Sequence, residues 1–156
     1  MQRTRVVLAV QLAIRAGVAA LLSVGVAHYF GLKLIQPLIT SCLVIDLSPE
    51  ETRRLAFKRL VATVLGGVIG ASLDMLLPSN PIAVGLGVLA AMLASELLRL
   101  EGTARLAGFV CGICVLQQGD PPWSYASARL IETAIGIAMA VLASHVPRLI
   151  RVEAKA

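Results

Sequence analysis

Apolar runs separated by short polar clusters divide the chain into six segments. They are Val6 to about Tyr29, Leu34 to about Leu47, Leu60 to Leu77, Ile82 to Leu98, Leu106 to Leu116 and about Ala128 to Val146. The four longer runs are apolar almost all round, a pattern of helices surrounded by lipid rather than of helices with one wet face. The second and fifth runs are short and interrupted. Pro37, Thr40 and Ser41 lie in one, while Gly108, Gly112 and the terminal Gln117 mark the other.

The punctuation between runs is specific. Gly31 to Lys33 reads as a tight turn, and Pro78-Ser79-Asn80-Pro81 as another, because two flanking prolines cannot continue a helix. Ser48-Pro49-Glu50-Glu51 reads as a helix start: a capping serine, a first-turn proline and acids against the positive dipole end. That helix carries Arg53, Arg54, Lys58 and Arg59 into the third run. Gly119 to Trp123 is expected as a rigid loop, with Trp123 and Tyr125 as interfacial anchors, and Pro147 as the stop of the sixth run.

Composition narrows the class. The chain has 156 residues, 58% hydrophobic and only 15% charged, with mean hydropathy +0.85. A soluble domain carries about a quarter charged residues, so the expectation is an all-α integral membrane protein. The six spans form one module over residues 1–156, with no room for a second domain. The basic start followed by an apolar run has the outline of a signal peptide, but the run is too long and Arg15 interrupts it.

The net charge of +5 does not call for nucleic acid, because the basic residues gather in loops on one expected side. Six spans place both termini together. With them fall Arg3, Arg5, Arg53, Arg54, Lys58, Arg59, Arg99, Arg105, Arg148, Arg151 and Lys155, against Lys33 and Arg129 opposite. The expected orientation has both termini cytoplasmic, in a bacterial inner membrane.

An internal echo supports two halves of opposite topology. Arg59-Leu60-Val61-Ala62-Thr63-Val64-Leu65-Gly66 is matched by Arg129-Leu130-Ile131-Glu132-Thr133-Ala134-Ile135-Gly136. The same shift superimposes the two short runs. The expectation is two inverted three-helix repeats, an architecture of transporters in which paired interrupted spans point to the binding site.

Charges inside spans are expensive, near 3 kcal/mol each at a helix centre. Asp46, Asp74 and His28, near span ends, read as groups that reach the interface or pair. Arg15 is too deep for that, and either pairs with an acid such as Glu96 or lines a wet path. Glu132, one turn from Arg129, is spaced for an i,i+3 pair. The hypothesis is an anion pathway along Arg15, Arg59 at the inner mouth and Arg129 at the outer one, tuned by Glu96 and Glu132. Arginine rings select anions. Pro37, Thr40, Ser41, Gly108, Gly112 and Gln117 are expected to line it.

Other features read as packing. Gly66 with Gly70, and Gly136 with Ala140, make small faces on which helices approach closely. Cys111 and Cys114 form a C-x-x-C without a second pair or a nearby histidine, so they read as small packing residues rather than a metal or redox site. No catalytic motif is present. No cofactor or metal is expected, and no enzymatic activity.

The stretches TRRLAFKRLVATVLGGVIGASL, SNPIAVGLGVLAAML and SARLIETAIGIAMAVLASHVP resemble the aromatic acid exporter family, within the broader fusaric acid resistance superfamily. Plant aluminium-activated malate transporters are more distant relatives. The resemblance covers about residues 8 to 150. Its most specific parts are Arg59, Thr63, Gly66 and Gly70, and Arg129 to Thr133 with Gly136. It implies a six-helix module that exports organic, including aromatic, anions, commonly as a homodimer in membrane lipid, with Arg59 and Arg129 as functional arginines. Many relatives carry a cytoplasmic region after the module, where here a short tail follows Pro147. The alternative is a non-transporting membrane subunit packed against a larger complex.

Overall fold

In the computed structural model, described for residues 2–77, 80–100, 102–117 and 121–145, the secondary structure consists of six α-helices. They are α1 (Gln2–Tyr29), α2 (Ile35–Val44), α3 (Pro49–Leu76), α4 (Pro81–Leu97), α5 (Ala104–Leu116) and α6 (Pro122–Ser144). Pro78, Ser79, Gly119, Asp120, Val146, Pro147 and the basic residues Arg148, Arg151 and Lys155 lie outside the described residues, as do the side chains of Arg3 and Arg5.

Three helices, α1, α3 and α6, are long and apolar enough to cross a membrane. The ten residues of α2 and thirteen of α5 reach only about 15 and 20 Å at 1.5 Å per residue. That is short of a hydrocarbon core about 30 Å thick.

The ends follow local chemistry. Ser48 Oγ accepts from Glu51 N at 3.1 Å, so α3 starts on the expected cap and runs unbroken through the basic cluster. Asn80 Oδ1 accepts from Ala83 N at 2.7 Å, with Pro81 in the first turn of α4. Pro122 opens α6, so Trp123 stands on a helix and not in the expected loop, and Tyr125 follows it on the same helix. Proline suits a helix start because its missing N–H would have no intrahelical acceptor there.

Helix ends at α1 and α4 use the left-handed conformation. Gly31, at φ 66°, lets Leu32 N reach Ala27 O at 2.9 Å. The same bond pattern closes α4, with Leu100 N on Ser95 O at 3.0 Å, but the left-handed residue is Arg99, at φ 52°. A residue with a Cβ pays a steric cost there that glycine avoids.

The chain forms two compact units, residues 1–56 with 134–156 and residues 57–133. In the first, Ala19, Val44, Ile45, Ala56, Ala140 and Ala143 make the core. Its α1 stripe, Gln11, Arg15, Ala19, Ser23 and Ala27, is buried at every fourth residue. In the second, Ala62, Ala83, Ala91, Ala107, Cys111 and Val115 make the core. In both, small and polar side chains are inside, while Leu21, Leu76, Ile82 and Leu97 stand more than 70% exposed. Lipid reverses the usual drive to bury large apolar groups, so close packing of small residues holds the helices.

Candidate functional site

The charged interior lies in the unit of residues 57–133. Arg59 points into it from α3 and is 1% exposed. It falls on the buried stripe of α3 with Ala56, Ala62, Thr63, Gly66 and Gly70. Its Nε and Nη1 have no hydrogen-bond partner among the described residues. It is therefore an interior group of this unit. An ionised group buried this way costs several kcal/mol unless something compensates it.

Arg129, on α6, is held on three sides. Its Nη1 lies 3.5 Å from Glu132 Oε2, the i,i+3 pair the spacing predicts. Its Nη2 donates to Tyr125 Oη, and its guanidinium sits 4.6 Å from the centroid of the Tyr125 ring. Tyr125 is 4% exposed, so it supports the arginine rather than anchoring an interface. The sequence does carry a signal for this role, since Tyr125 stands one turn before Arg129 on the same face. Arg129 and Arg59 are close enough to repel one another.

The register of α3 against α6 explains the grouping. Trp123 Nε1 donates to Met75 Sδ at 3.1 Å, and a Cβ on Gly67 would meet Ala126 Cβ at 3.7 Å. The contacts run in opposite directions along the two helices. From the Gly67–Ala126 crossing, 1.5 Å per residue puts Arg59 about 12 Å, Glu132 about 9 Å and Arg129 about 5 Å toward the same side. A groove of about 190 Å³ opens at this crossing, lined by Thr63, Val64, Gly67, Trp123, Ala126 and Leu130 among others. Its walls are mostly apolar, and Thr63 is one turn from Arg59.

The other expected pathway residues lie elsewhere. Arg15 is buried in the unit of residues 1–56 with 134–156, where Nη1 donates to Leu47 O at 2.7 Å and Asp46 O at 3.4 Å. It ties α1 to the carbonyls that follow α2. Glu96 is exposed at the end of α4. Thr40 is buried, with no partner for Oγ1, and Ser41 exchanges a hydrogen bond with Ser23 at 3.1 Å. Gly108 and Gly112 face Met92 and Val88 of α4, where they seat one helix on another. Gln117 follows the end of α5, half-buried.

The packing glycines make the closest approaches. A Cβ on Gly66 would strike Ala107 O and lie 3.0 Å from Val110 Cβ, and one on Gly70 would lie 2.7 Å from Cys114 Cβ. In the other unit, a Cβ on Gly136 would lie 2.7 Å from Pro37 O and 2.8 Å from Thr40 Cβ. The shift that carries Arg59 onto Arg129 carries Gly66 onto Gly136. It also carries Pro37 onto Ala107 and Thr40 onto Val110. Each long helix thus meets a short one at corresponding residues. Cys111 and Cys114 are buried in these contacts. Among the described residues, no three His, Cys, Asp or Glu side chains gather as metal ligands would.

Comparison with known proteins adds a family. No curated protein and no solved structure matches the chain. The pattern of the fusaric acid resistance protein-like family matches residues 19–143, a span that includes Arg59, Arg129, Glu132 and all three close-contact glycines. This is a transport family, related to efflux, and not a family of enzymes. With most of its length matched, the chain belongs to the fusaric acid resistance protein-like family.

Proposed function

We propose that this protein moves organic anions, aromatic ones included, across a membrane as a transporter or channel-like exporter, and that it works as a homo-oligomer. The observation that carries the reading is Arg59, 1% exposed with two donor nitrogens unfilled. A protein that only needed a packed interior would gain by an apolar side chain there. An arginine kept in that state has donors ready for an anion that arrives and leaves. Arg129 adds a second positive group within electrostatic reach, and the groove beside Thr63 and Leu130 offers apolar walls for the body of a small organic anion.

In this reading the chain is two inverted three-helix repeats with both termini cytoplasmic. The paired contacts of Gly66 with Ala107 and of Gly136 with Pro37 support it, as does the concentration of basic residues in loops of one parity. The test is flux into proteoliposomes that contain only this protein, using an aromatic carboxylate or malate. Wild type carries saturable flux, and Arg59→Ala and Arg129→Ala each reduce it at least tenfold. Absence of flux with well-folded wild type overturns the proposal and favours a subunit of a larger membrane complex.

A further inference from the structure

Three buried glycines of α3, Gly66, Gly67 and Gly70, have different neighbours. A Cβ on Gly66 or Gly70 would run into α5, so close approach holds both positions to glycine. A Cβ on Gly67 would meet, within 4 Å and among the described residues, only Ala126 Cβ, at 3.7 Å. That is ordinary van der Waals contact. Glycine inside a helix lowers stability relative to alanine, so packing alone favours alanine at this position. What Gly67 does line is the groove between α3 and α6.

The groove has the size and the polarity of one small molecule. Thr63 and Gly67 close it on the inside, while the exposed Val64, Val68, Trp123 and Leu130 form its open rim. Trp123 and Leu130 are about 10 Å apart along α6. One end has an aromatic wall, the Trp123 indole held by its bond to Met75 Sδ. The other end, at Thr63 and Leu130, lies on the side of Arg59, one turn beyond Thr63, whose Nε and Nη1 have no hydrogen-bond partner among the described residues. An apolar cavity of about 150 Å³ holds one benzene, so a groove of about 190 Å³ takes one ring with a carboxyl group and little more. A lipid acyl chain spans half a hydrocarbon core, about 15 Å. A standard protein partner covers about 20–30 residues, against the eight that line this groove.

We propose that the groove holds the ring of a single-ring aromatic carboxylate, and that Gly67 is the specificity-determining residue that leaves room for it. The proposal rests on the transport reading and deepens it by placing the apolar body of the substrate. The ring lies against Trp123, Ala126 and Gly67, with the carboxylate toward the Thr63–Leu130 end. A buried positive charge near that end attracts an anion strongly, because the surroundings have a low dielectric constant. A methyl group at position 67 takes up space the ring needs and leaves the helix contacts in place.

Trp123 is the single tryptophan of the chain, so its emission reports on the groove directly. The experiment is a fluorescence titration of the purified full chain in phosphatidylcholine nanodiscs at pH 8, with 4-nitrobenzoate as the quenching probe. Wild type is expected to show saturable quenching, reversed by benzoate at least tenfold more effectively than by its neutral isostere benzamide. Gly67→Ala is expected to bind the probe at least tenfold more weakly, with a melting temperature at or above that of wild type. Val64→Phe, which fills the groove from its exposed rim, weakens the probe likewise. Gly17→Ala, outside the groove, binds as wild type does.

Quenching that does not saturate, unchanged affinity in either groove variant, or equal displacement by benzamide overturns the proposal. A marked fall in the melting temperature of Gly67→Ala does so too, by returning Gly67 to the packing glycines. Displacement by palmitate and not by benzoate would mark a lipid groove, and a shifted elution volume in Gly67→Ala a contact between copies; either overturns it. Benzoate flux in proteoliposomes that persists under any of these outcomes leaves the transport reading standing. Saturable binding without flux keeps the groove and removes the transport reading, so the two failures are separable.

Discussion

Arg59 shows how far one residue departs from what stability asks. Lipid-embedded interiors exclude charges because transfer from water is costly, yet this side chain is 1% exposed with Nε and Nη1 unfilled. Arg59→Met is therefore expected to stabilise the anion-free protein, by about 1–4 kcal/mol on the precedent of buried ionic groups replaced by apolar ones. Thermal unfolding in detergent measures this. Adding benzoate should raise the melting temperature of wild type, as a ligand bound only to the folded state must, and leave that of the variant unmoved. A second expectation concerns Arg99, whose φ of 52° closes α4. Arg99→Gly should stabilise by up to about 1–2 kcal/mol, the usual cost of a Cβ in the left-handed region. The presence of charges within spans is plain in the sequence. Which of them has partners is not, because partners come from other turns and other helices.

At the scale of the helix, glycine identity separates contact from mere permissiveness. Gly66 and Gly136 admit the backbone of α5 and of α2 respectively, whereas a Cβ on Gly17 would meet nothing within 4 Å. Gly66→Ala and Gly136→Ala are each expected to cost about 1–3 kcal/mol, because the listener to the clash is backbone or a β-carbon and cannot swing away. Gly17→Ala should be neutral or stabilising by up to about 1 kcal/mol, the helix-propensity difference. Melting temperatures of the three variants in one detergent check the ordering. The sequence marks Gly66 and Gly70 as a small face but does not distinguish them from Gly108 and Gly112. All four are small residues four apart in apolar helices, and only the neighbours of each decide its role. The expected loop at Trp123 failed for a related reason: Pro122 is compatible with a turn and with the first position of a helix, and α6 takes the second.

At the scale of the molecule, the proposed orientation makes an accessibility test. With the native cysteines replaced, a cysteine at Lys33 should react with an impermeant thiol reagent applied to intact cells. One at Arg54 or Arg99, all three positions being exposed, should react only after permeabilisation. Equal labelling from both sides would indicate mixed orientation and count against the inverted arrangement. Each compact unit draws two helices from one half of the chain and part of a long helix from the other.

What the amino-acid order determined alone is what depends on local composition and spacing. The apolar runs dictate helices, since a backbone in lipid must satisfy its hydrogen bonds internally. Ser48 and Asn80 dictate where two of them start, and three residues of separation set up the Arg129–Glu132 pair. Tertiary structure decided everything that needed distance in sequence to become proximity in space. It left Arg59 buried with open donors, gave Arg15 to the carbonyls of Asp46 and Leu47, made Tyr125 a support for Arg129, and set Arg59 and Glu132 on the same side of the Gly67–Ala126 crossing. Those outcomes follow from the register of one helix against another, which is chosen by the summed fit of many small side chains and is written in no single motif.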